Sequence, residues 1–137
     1  ENKYTFDYYS GLAKQLVSMG TDIIAIKDMA GLLRPRAAAL LVRRLKEDTG
    51  LPVHLHTHDT PGTGVSMLVE AAQAGCDIVD GAVSSMAGLT SQPSLNAIVS
   101  ACRDRDIAPL VPLDFLDYLG RYWQNVRQAY KAFDPGL

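Results

Sequence analysis

Apolar residues along the 137-residue chain follow two alternating patterns, one with helical spacing and one in short continuous runs. The helical spacing predicts helices over about 5–19, 35–49, 63–74 and 94–105. The short runs begin at Ile23, Val53 and Ile78 and are typical of parallel strands that are covered on both faces. The pattern therefore predicts an α/β fold in which each strand is followed by a helix.

The spacing of the strands narrows the fold class. Their starts lie 30 and 25 residues apart, which suits units whose helix returns the chain to a parallel strand. Such units form either a doubly wound sheet or part of a barrel, and no Gly-x-Gly-x-x-Gly motif follows a strand. A whole barrel needs roughly 250 residues, and this chain begins with Glu1 rather than Met. Both folds stay open here: the missing motif mildly favours a partial (β/α)8 TIM barrel over a doubly wound sheet, and the first residue predicts a piece cut from a longer polypeptide.

After Pro112 the pattern changes to an aromatic stripe with helical spacing. The stripe predicts one long helix that reaches Phe133, and its aromatic side chains are typical of core or interface packing. We expect residues 1–111 to form the β/α units and residues 112–137 to form this helix, at the start of a following helical region.

Composition and charge exclude several classes of protein. The net charge is −2 with 47% hydrophobic and 20% charged residues, which is typical of a globular domain and offers no basic surface for nucleic acid. The densest basic segment, 34–46, is expected to be a solvated helix face. Cys76 and Cys102 lie far apart, resemble no zinc or disulfide framework and are expected to be buried thiols, which fits a reducing compartment. No run of 18 apolar residues predicts a membrane span.

All three histidines of the chain lie in one strand segment, Val53–His58. Side chains alternate between the faces of a strand, so His54, His56 and His58 are expected on the same face. Neutral imidazoles at this spacing suit a divalent metal ion, although buried histidines that are only hydrogen-bonded would give the same pattern. We expect His56 and His58 to be ligands and His54 to be a core or supporting residue.

The first strand ends in Lys27-Asp28, and a lysine at that place has three interpretations. Desolvation would make its amine a nucleophile for a Schiff base. Alternatively, CO2 would convert it to an anionic carbamate ligand, or it would simply be a surface lysine. The role of Asp28 is open. In the loop after the histidines, Thr60 or Thr63 is expected to cap the next helix.

Three segments together resemble the carboxyltransferase domain of the pyruvate carboxylase family: Ile26–Leu33, His54–Thr60 and Ser85–Ser94. The closing segment from Tyr122 to Asp134 resembles it too. The resemblance implies a (β/α)8 barrel that moves CO2 from carboxybiotin to pyruvate and gives oxaloacetate. It implies a zinc or manganese ion held by an Asp, a carbamylated lysine and two histidines. The lysine would be Lys27, and the histidines would be His56 and His58.

The same resemblance implies that other parts of the site lie outside this chain. The ligand Asp would lie upstream, the threonine that moves a proton would lie downstream, and biotin would be carried by another domain. We therefore expect the isolated chain to be inactive and to act within a homo-oligomer, a tetramer in the parent enzyme. The compartment would be bacterial cytoplasm or mitochondrial matrix.

Several alternatives share some of these motifs. An α subunit of the oxaloacetate decarboxylase type shares them individually, and a Schiff-base aldolase-type barrel would use Lys27 as its nucleophile. Metal-dependent lyases or synthases that act through acyl-CoA share the His-x-His pair but typically follow it with Asn-Asp rather than Asp59-Thr60. A structural or assembly fragment with the aromatic helix as its interface is the non-enzymatic alternative.

Overall fold

The computed structural model describes residues 3–107 and 109–134. It contains three strands that alternate with helices, as the sequence predicts. The elements are α1 (Phe6–Ser18), β1 (Ile24–Asp28), α2 (Pro35–Thr49), β2 (Val53–Thr57), α3 (Gly64–Gln73), β3 (Ile78–Val79), a single 3-10 turn (Ser84–Met86), α4 (Leu95–Cys102) and α5 (Leu113–Ala129).

The three strands form one parallel sheet in the order β1-β2-β3. Residues Ile24–Asp28 pair with Val53–Thr57 along their whole length, while β3 pairs with β2 through two residues only. A parallel sheet in chain order, with one helix after each strand, is the arrangement of consecutive units in a (β/α)8 barrel. The predicted α/β class with parallel strands is therefore confirmed, and a partial barrel agrees with this arrangement.

The ends of the first helices follow the local signals in the sequence. Thr5 caps α1 by accepting a hydrogen bond from the Tyr8 amide at 3.2 Å. Pro35 occupies the first turn of α2, and Gly50 ends that helix in the left-handed conformation. These local signals explain why α2 has the predicted bounds.

The hydrophobic core lies between the sheet and the helices α2 and α3. The side chains of Val53 and Leu55 on β2 are fully buried, and they pack with Val42, Met67 and Leu68. Thr57 is fully buried as well. One face of β2 is thus covered by helices, and this leaves the other face for chemistry.

The aromatic helix α5 contacts the domain along a narrow strip. Leu116 and Gly120 are buried against α4 and the 3-10 turn, and a Cβ on Gly120 would lie 3.0 Å from the Ser84 Oγ. Most aromatic side chains of the stripe are exposed, including Tyr118 at 61% and Tyr122 at 56%. Their packing at an interface therefore stays a prediction.

The prediction that this helix reaches Phe133 is wrong. The helix ends at Ala129, and Tyr130 to Asp134 fold into turns. In these turns the Asp134 carboxylate accepts a hydrogen bond from the Arg127 Nε at 2.5 Å. This bond stabilises a chain that turns back toward α5 instead of continuing as a helix. Residues 135–137, the end of the predicted helical segment, lie outside the described residues.

Both cysteines are free thiols; Cys102 is buried as predicted, whereas Cys76 is only partly buried. Burial raises the pKa of Cys76 to about 11, so this thiol is protonated at neutral pH and is a poor nucleophile. Within the described part of the chain, no helix has the length and apolar character needed to cross a membrane.

Candidate metal centre

The register of the sheet brings the predicted lysine and histidine together. In the pairing of β1 with β2, Lys27 lies opposite His56 and Ala25 lies opposite His54. Residues paired in this way share a face of the sheet. The intervening residues Val53, Leu55 and Thr57 face the helices, with no exposed side-chain surface. The predicted alternation of faces along β2 is therefore correct.

The imidazole of His56 is held by a carboxylate on the neighbouring strand. Its Nδ1 lies 2.7 Å from the Oδ2 of Asp80, which follows β3. The other oxygen of Asp80, Oδ1, lies 2.8 Å from the Nε2 of His54. A carboxylate that is ionised can only accept hydrogen bonds. The Nδ1 of His56 and the Nε2 of His54 therefore act as donors.

The ionisation of Asp80 agrees with these assignments. Partial burial raises the pKa of its carboxyl group, but the hydrogen bonds from His56 and His54 lower it, and the net pKa is below the ordinary value. Asp80 is therefore a carboxylate at neutral pH, and the second nitrogen of His56, Nε2, is left without a hydrogen-bond partner among the described residues.

His58 follows β2 directly and is held by a different kind of acceptor. Its Nδ1 lies 2.6 Å from the carbonyl oxygen of Thr90. A backbone carbonyl only accepts, so Nδ1 carries the proton and Nε2 of the neutral ring keeps a lone pair. Metal-binding histidines in proteins typically donate one ring N–H to a carboxylate or a carbonyl in this way. His56 and His58 both fit that pattern.

The separation of the two rings also fits a shared ion. Their centroids are 5.4 Å apart. Two imidazoles bound to one tetrahedral ion at about 2.1 Å would place their centroids roughly 5 Å apart. Within residues 3–107 and 109–134, no group of three or more His, Cys, Asp or Glu is arranged to hold a metal. The donors that these residues offer are thus two imidazoles and the adjacent Lys27.

The Lys27 side chain is exposed rather than desolvated. In the described part of the chain it forms no hydrogen bond or ion pair. Its neighbour Asp28, whose role the sequence leaves open, accepts bonds from the Leu32 amide at 3.0 Å and the Leu33 amide at 2.9 Å. Asp28 therefore organises the loop after β1, and Lys27 is left accessible beside His56.

The hydrogen bonds that hold the loop after the histidines differ from the predicted ones. Thr63 is the N-cap residue of α3 but makes no capping bond, and Thr60 donates instead to the Leu89 carbonyl at 3.3 Å. Asp59 takes the capping role by accepting from the Gly64 amide at 2.8 Å. A carboxylate is a stronger acceptor for a free helix amide than a hydroxyl. Thr63 thus occupies the predicted N-cap position, but Asp59 rather than a threonine supplies the side-chain bond.

No role for Asp80 was predicted from the sequence. The register pairs Leu55 with Val79, so the next residues along the two strands are His56 and Asp80. A polar residue directly after a short apolar strand was the available signal. Its meaning depends on the alignment of two strands, which the sequence of β3 alone does not contain.

Residues 3–117 match the HMGL-like family. The chain belongs to the HMGL-like family. Two curated relatives of this HMGL-like chain are the pyruvate carboxylase of Bacillus subtilis, 50% identical over 135 residues, and the mitochondrial pyruvate carboxylase of Rattus norvegicus, 49% identical over 133 residues. The matches cover 98% and 96% of this chain, but only 12% and 11% of those proteins.

A solved structure also matches the chain in sequence and in fold. The carboxyl transferase domain of Rhizobium etli pyruvate carboxylase, determined with pyruvate and biocytin, superimposes with a TM-score of 0.96 at 44% identity. The match covers 98% of this chain and 23% of that chain. The HMGL-like chain is therefore similar in sequence and in fold to one part of a carboxyl transferase domain.

Proposed function

We propose that this chain is part of a biotin-dependent carboxyltransferase that moves CO2 from carboxybiotin to pyruvate and gives oxaloacetate. One observation carries the proposal. His56 and His58 each have Nδ1 bound to an acceptor, and Lys27 lies opposite His56 at the carboxyl end of the sheet. The similar Rhizobium etli domain was solved with pyruvate and biocytin, which supports the assignment of the two substrates.

The ligand set that we propose from this chain consists of the Nε2 atoms of His56 and His58 and a carbamate on Lys27. The exposed amine of Lys27 is accessible to CO2, and reaction with it releases a proton and creates anionic oxygen donors. Imidazole and carboxylate-like oxygen donors together suit zinc or manganese. When bound, the divalent ion supplies Lewis-acid stabilisation of the negative charge that develops on pyruvate.

The residues of the chain contribute positioning. The fully buried Val53, Leu55 and Thr57 fix β2 against the helices, so that His56 cannot rotate away from the open face without disturbing the core. Asp59 and Thr60 attach the loop after His58 to neighbouring segments. The packed strand and the hydrogen-bonded loop hold the two imidazoles in place for one ion.

The rest of the site belongs to a longer polypeptide in this proposal. The chain spans 12% of the length of its Bacillus subtilis relative. Strand β1 has a free edge in the described sheet, and beside it lies a groove of about 760 Å³. Most of its lining residues are apolar residues of α1, β1 and α2, and Lys27 also lines it. A preceding β/α unit of the same barrel would fill this groove and complete the wall behind Lys27.

Further partners follow from the same proposal. Biotin would be carried by another domain, and the exposed aromatic side chains of α5 would pack in a helical region that follows residue 111. The polypeptide would act as a homo-oligomer, in bacterial cytoplasm or in a mitochondrial matrix. The 137 residues alone would have no carboxyltransferase activity, because they hold an incomplete set of ligands.

The experiment that tests the proposal uses the whole polypeptide that carries this chain. We expect pyruvate-dependent formation of oxaloacetate, bound zinc or manganese, and the mass of one added CO2 on the peptide that contains Lys27. The Lys27→Ala variant should lose transfer while it keeps its fold. Borohydride trapping of substrate on Lys27 would contradict the proposal and favour the Schiff-base alternative.

A further inference from the structure

The remaining histidine of the segment, His54, is not one of the proposed metal ligands and does not belong to the hydrophobic core. Its side chain is 29% exposed, close to the 28% of His56, so it is not the deep core residue that the sequence allowed. Its Nε2 reaches the same carboxylate as His56 does. The three groups form a chain across two strands, from His54 through Asp80 to His56.

Each oxygen of Asp80 in this chain has one histidine partner. Oδ1 accepts from His54 at 2.8 Å and Oδ2 accepts from His56 at 2.7 Å. A carboxylate with a single hydrogen bond can turn about its terminal torsion, which is broad. With one donor on each oxygen, the plane of the carboxylate is fixed, and the direction of the bond to His56 is fixed with it.

The consequence for His56 concerns both its tautomer and its orientation. A fixed acceptor at Nδ1 keeps the proton on that nitrogen, so that Nε2 carries the lone pair. The same bond sets the rotation of the ring relative to Lys27 and His58. A metal ligand that is already aligned loses less conformational entropy when it binds.

We propose that Asp80 and His54 are positioning residues that hold His56 ready to bind the metal ion through Nε2. The inference rests on the proposed function, since it presumes that His56 is a ligand. Neither residue contacts the ion. Asp80 acts through His56, and His54 acts through Asp80.

A purely structural role would predict a different result, and the chain offers a matched control. Asp77 lies three residues before Asp80, is also partly exposed, and bonds to Lys46 and to the Val53 amide. It holds the sheet together but touches no histidine in the described residues. Asp77→Asn should therefore affect unfolding, whereas Asp80→Asn should affect metal binding.

The test measures zinc affinity in the whole polypeptide by chelator competition, together with the visible spectrum of the cobalt-substituted protein. Asp80→Asn offers one acceptor oxygen in place of two, and we expect it to weaken zinc binding by about 10- to 100-fold and to shift the cobalt spectrum. His54→Phe should weaken zinc binding by about tenfold, the lower end of the same range. His54→Gln, which places an N–H near the position of Nε2, should restore most of the affinity.

The outcomes separate the two proposals. Wild-type affinity and an unchanged cobalt spectrum in both Asp80→Asn and His54→Phe would overturn the positioning role while leaving the carboxyltransferase proposal intact. An equal loss of affinity in Asp77→Asn would overturn it as well, since it would show a general effect of strand stability. If Asp80→Asn does not fold, the His54→Phe and His54→Gln pair decides. Wild-type polypeptide that binds no divalent metal would overturn both proposals.

Discussion

Two carboxylates at opposite ends of β3 show how differently the two ends of this sheet are used. Asp77, before the strand, accepts bonds from the Lys46 Nζ at 2.7 and 2.9 Å and from the Val53 amide at 2.8 Å. Asp80, after the strand, accepts bonds from two histidines. One residue type therefore joins a strand to a helix at the amino end and aligns imidazoles at the carboxyl end.

The electrostatics of the two carboxylates differ accordingly. The hydrogen bond from Lys46 is the main cause that lowers the pKa of Asp77, and burial opposes it only weakly. For Asp80, burial is the largest influence and raises the pKa, while the bonds from the histidines more than offset it. A permanent cation bonds to the first carboxylate, whereas imidazole N–H groups bond to the second. This division agrees with the general use of the carboxyl ends of barrel strands for active sites.

The largest expected effect is the loss of a proposed ligand at the carboxyl end. His58→Ala removes a nitrogen donor and leaves the Thr90 carbonyl without its partner. We expect zinc affinity of the whole polypeptide to fall by more than about 100-fold, beyond the range for outer hydrogen-bond partners, with little change in unfolding temperature. Metal analysis after dialysis and a thermal melt give the two readouts. Full metal content in this variant would mean that the carboxyl end is not the metal site.

The next largest effect is expected from alanine substitution at one of two glycines that have nearly equal φ angles. Gly31 (φ +66°) lies in the loop after β1, and its added Cβ would meet the His58 carbonyl oxygen at 2.5 Å. Gly50 (φ +67°) lies before β2, and its Cβ would enter open space. Alanine costs about 1–2 kcal/mol at either site from the left-handed conformation.

Gly31→Ala should cost about 1–3 kcal/mol more than Gly50→Ala because of the overlap, and it should also weaken zinc binding because it displaces the backbone of His58. Urea unfolding and chelator competition on the two variants measure this difference. Equal losses of stability and equal affinities would show that the carboxyl-end loop adapts without disturbing the histidines.

A smaller effect is expected from a substitution at the amino end of β3, and we expect it on stability alone. Asp77→Asn removes the charge that pairs with Lys46 but keeps an oxygen for the Val53 amide. The pair is more than a third exposed, so the loss should stay below about 1 kcal/mol. Urea unfolding should show this loss while zinc affinity stays at the wild-type value. Reduced affinity in this variant would mean that the two ends of β3 are energetically coupled.

The smallest effect is a dependence of stability on pH. Bonds from Ser10, then Arg44 and Lys14, hold the pKa of Asp48 well below its usual range, and Lys46 lowers that of Asp77. A carboxyl group whose folded-state pKa is lowered stabilises the fold above its unfolded-state pKa of about 3.9 and stops doing so as the pH falls through the folded-state value. Stability should therefore decrease below about pH 5.

The decrease in acid should be shallower in the double variant D48N/D77N than in the wild type. Urea midpoints measured across the acid range give both slopes. Identical slopes would mean that these two carboxylates do not carry the acid sensitivity of the helices and the amino end of the sheet.

The sequence predicted the parts of the fold that depend on local chemistry. The bounds of α2 follow from Pro35 and Gly50, and the shared face of His54 and His56 follows from the two-residue period of a strand. Both signals lie within a few residues of the feature that they determine. The parallel direction of the strands also followed from their spacing. A helix between two strands returns the chain to the end of the sheet at which the first strand began, so the next strand runs parallel to it.

The features that the sequence did not predict depend on contacts between distant segments. The role of Asp80 requires the register of β3 against β2, and the cap on α3 requires the loop that brings Asp59 back to Gly64. After the end of α5, the turns bring Asp134 back to Arg127, a pairing between residues seven positions apart. In each case both residues are present in the sequence, but the sequence does not show that they contact each other.

The central claim is that the carboxyl end of this sheet holds a divalent ion between the two imidazoles and Lys27. The most direct measurement is anomalous diffraction at the zinc edge from crystals of the whole polypeptide. We predict a peak within about 2.1 Å of the Nε2 atoms of His56 and His58, with density for a carbamate on Lys27 beside it. A fully active enzyme with no peak at these two histidines would contradict the account.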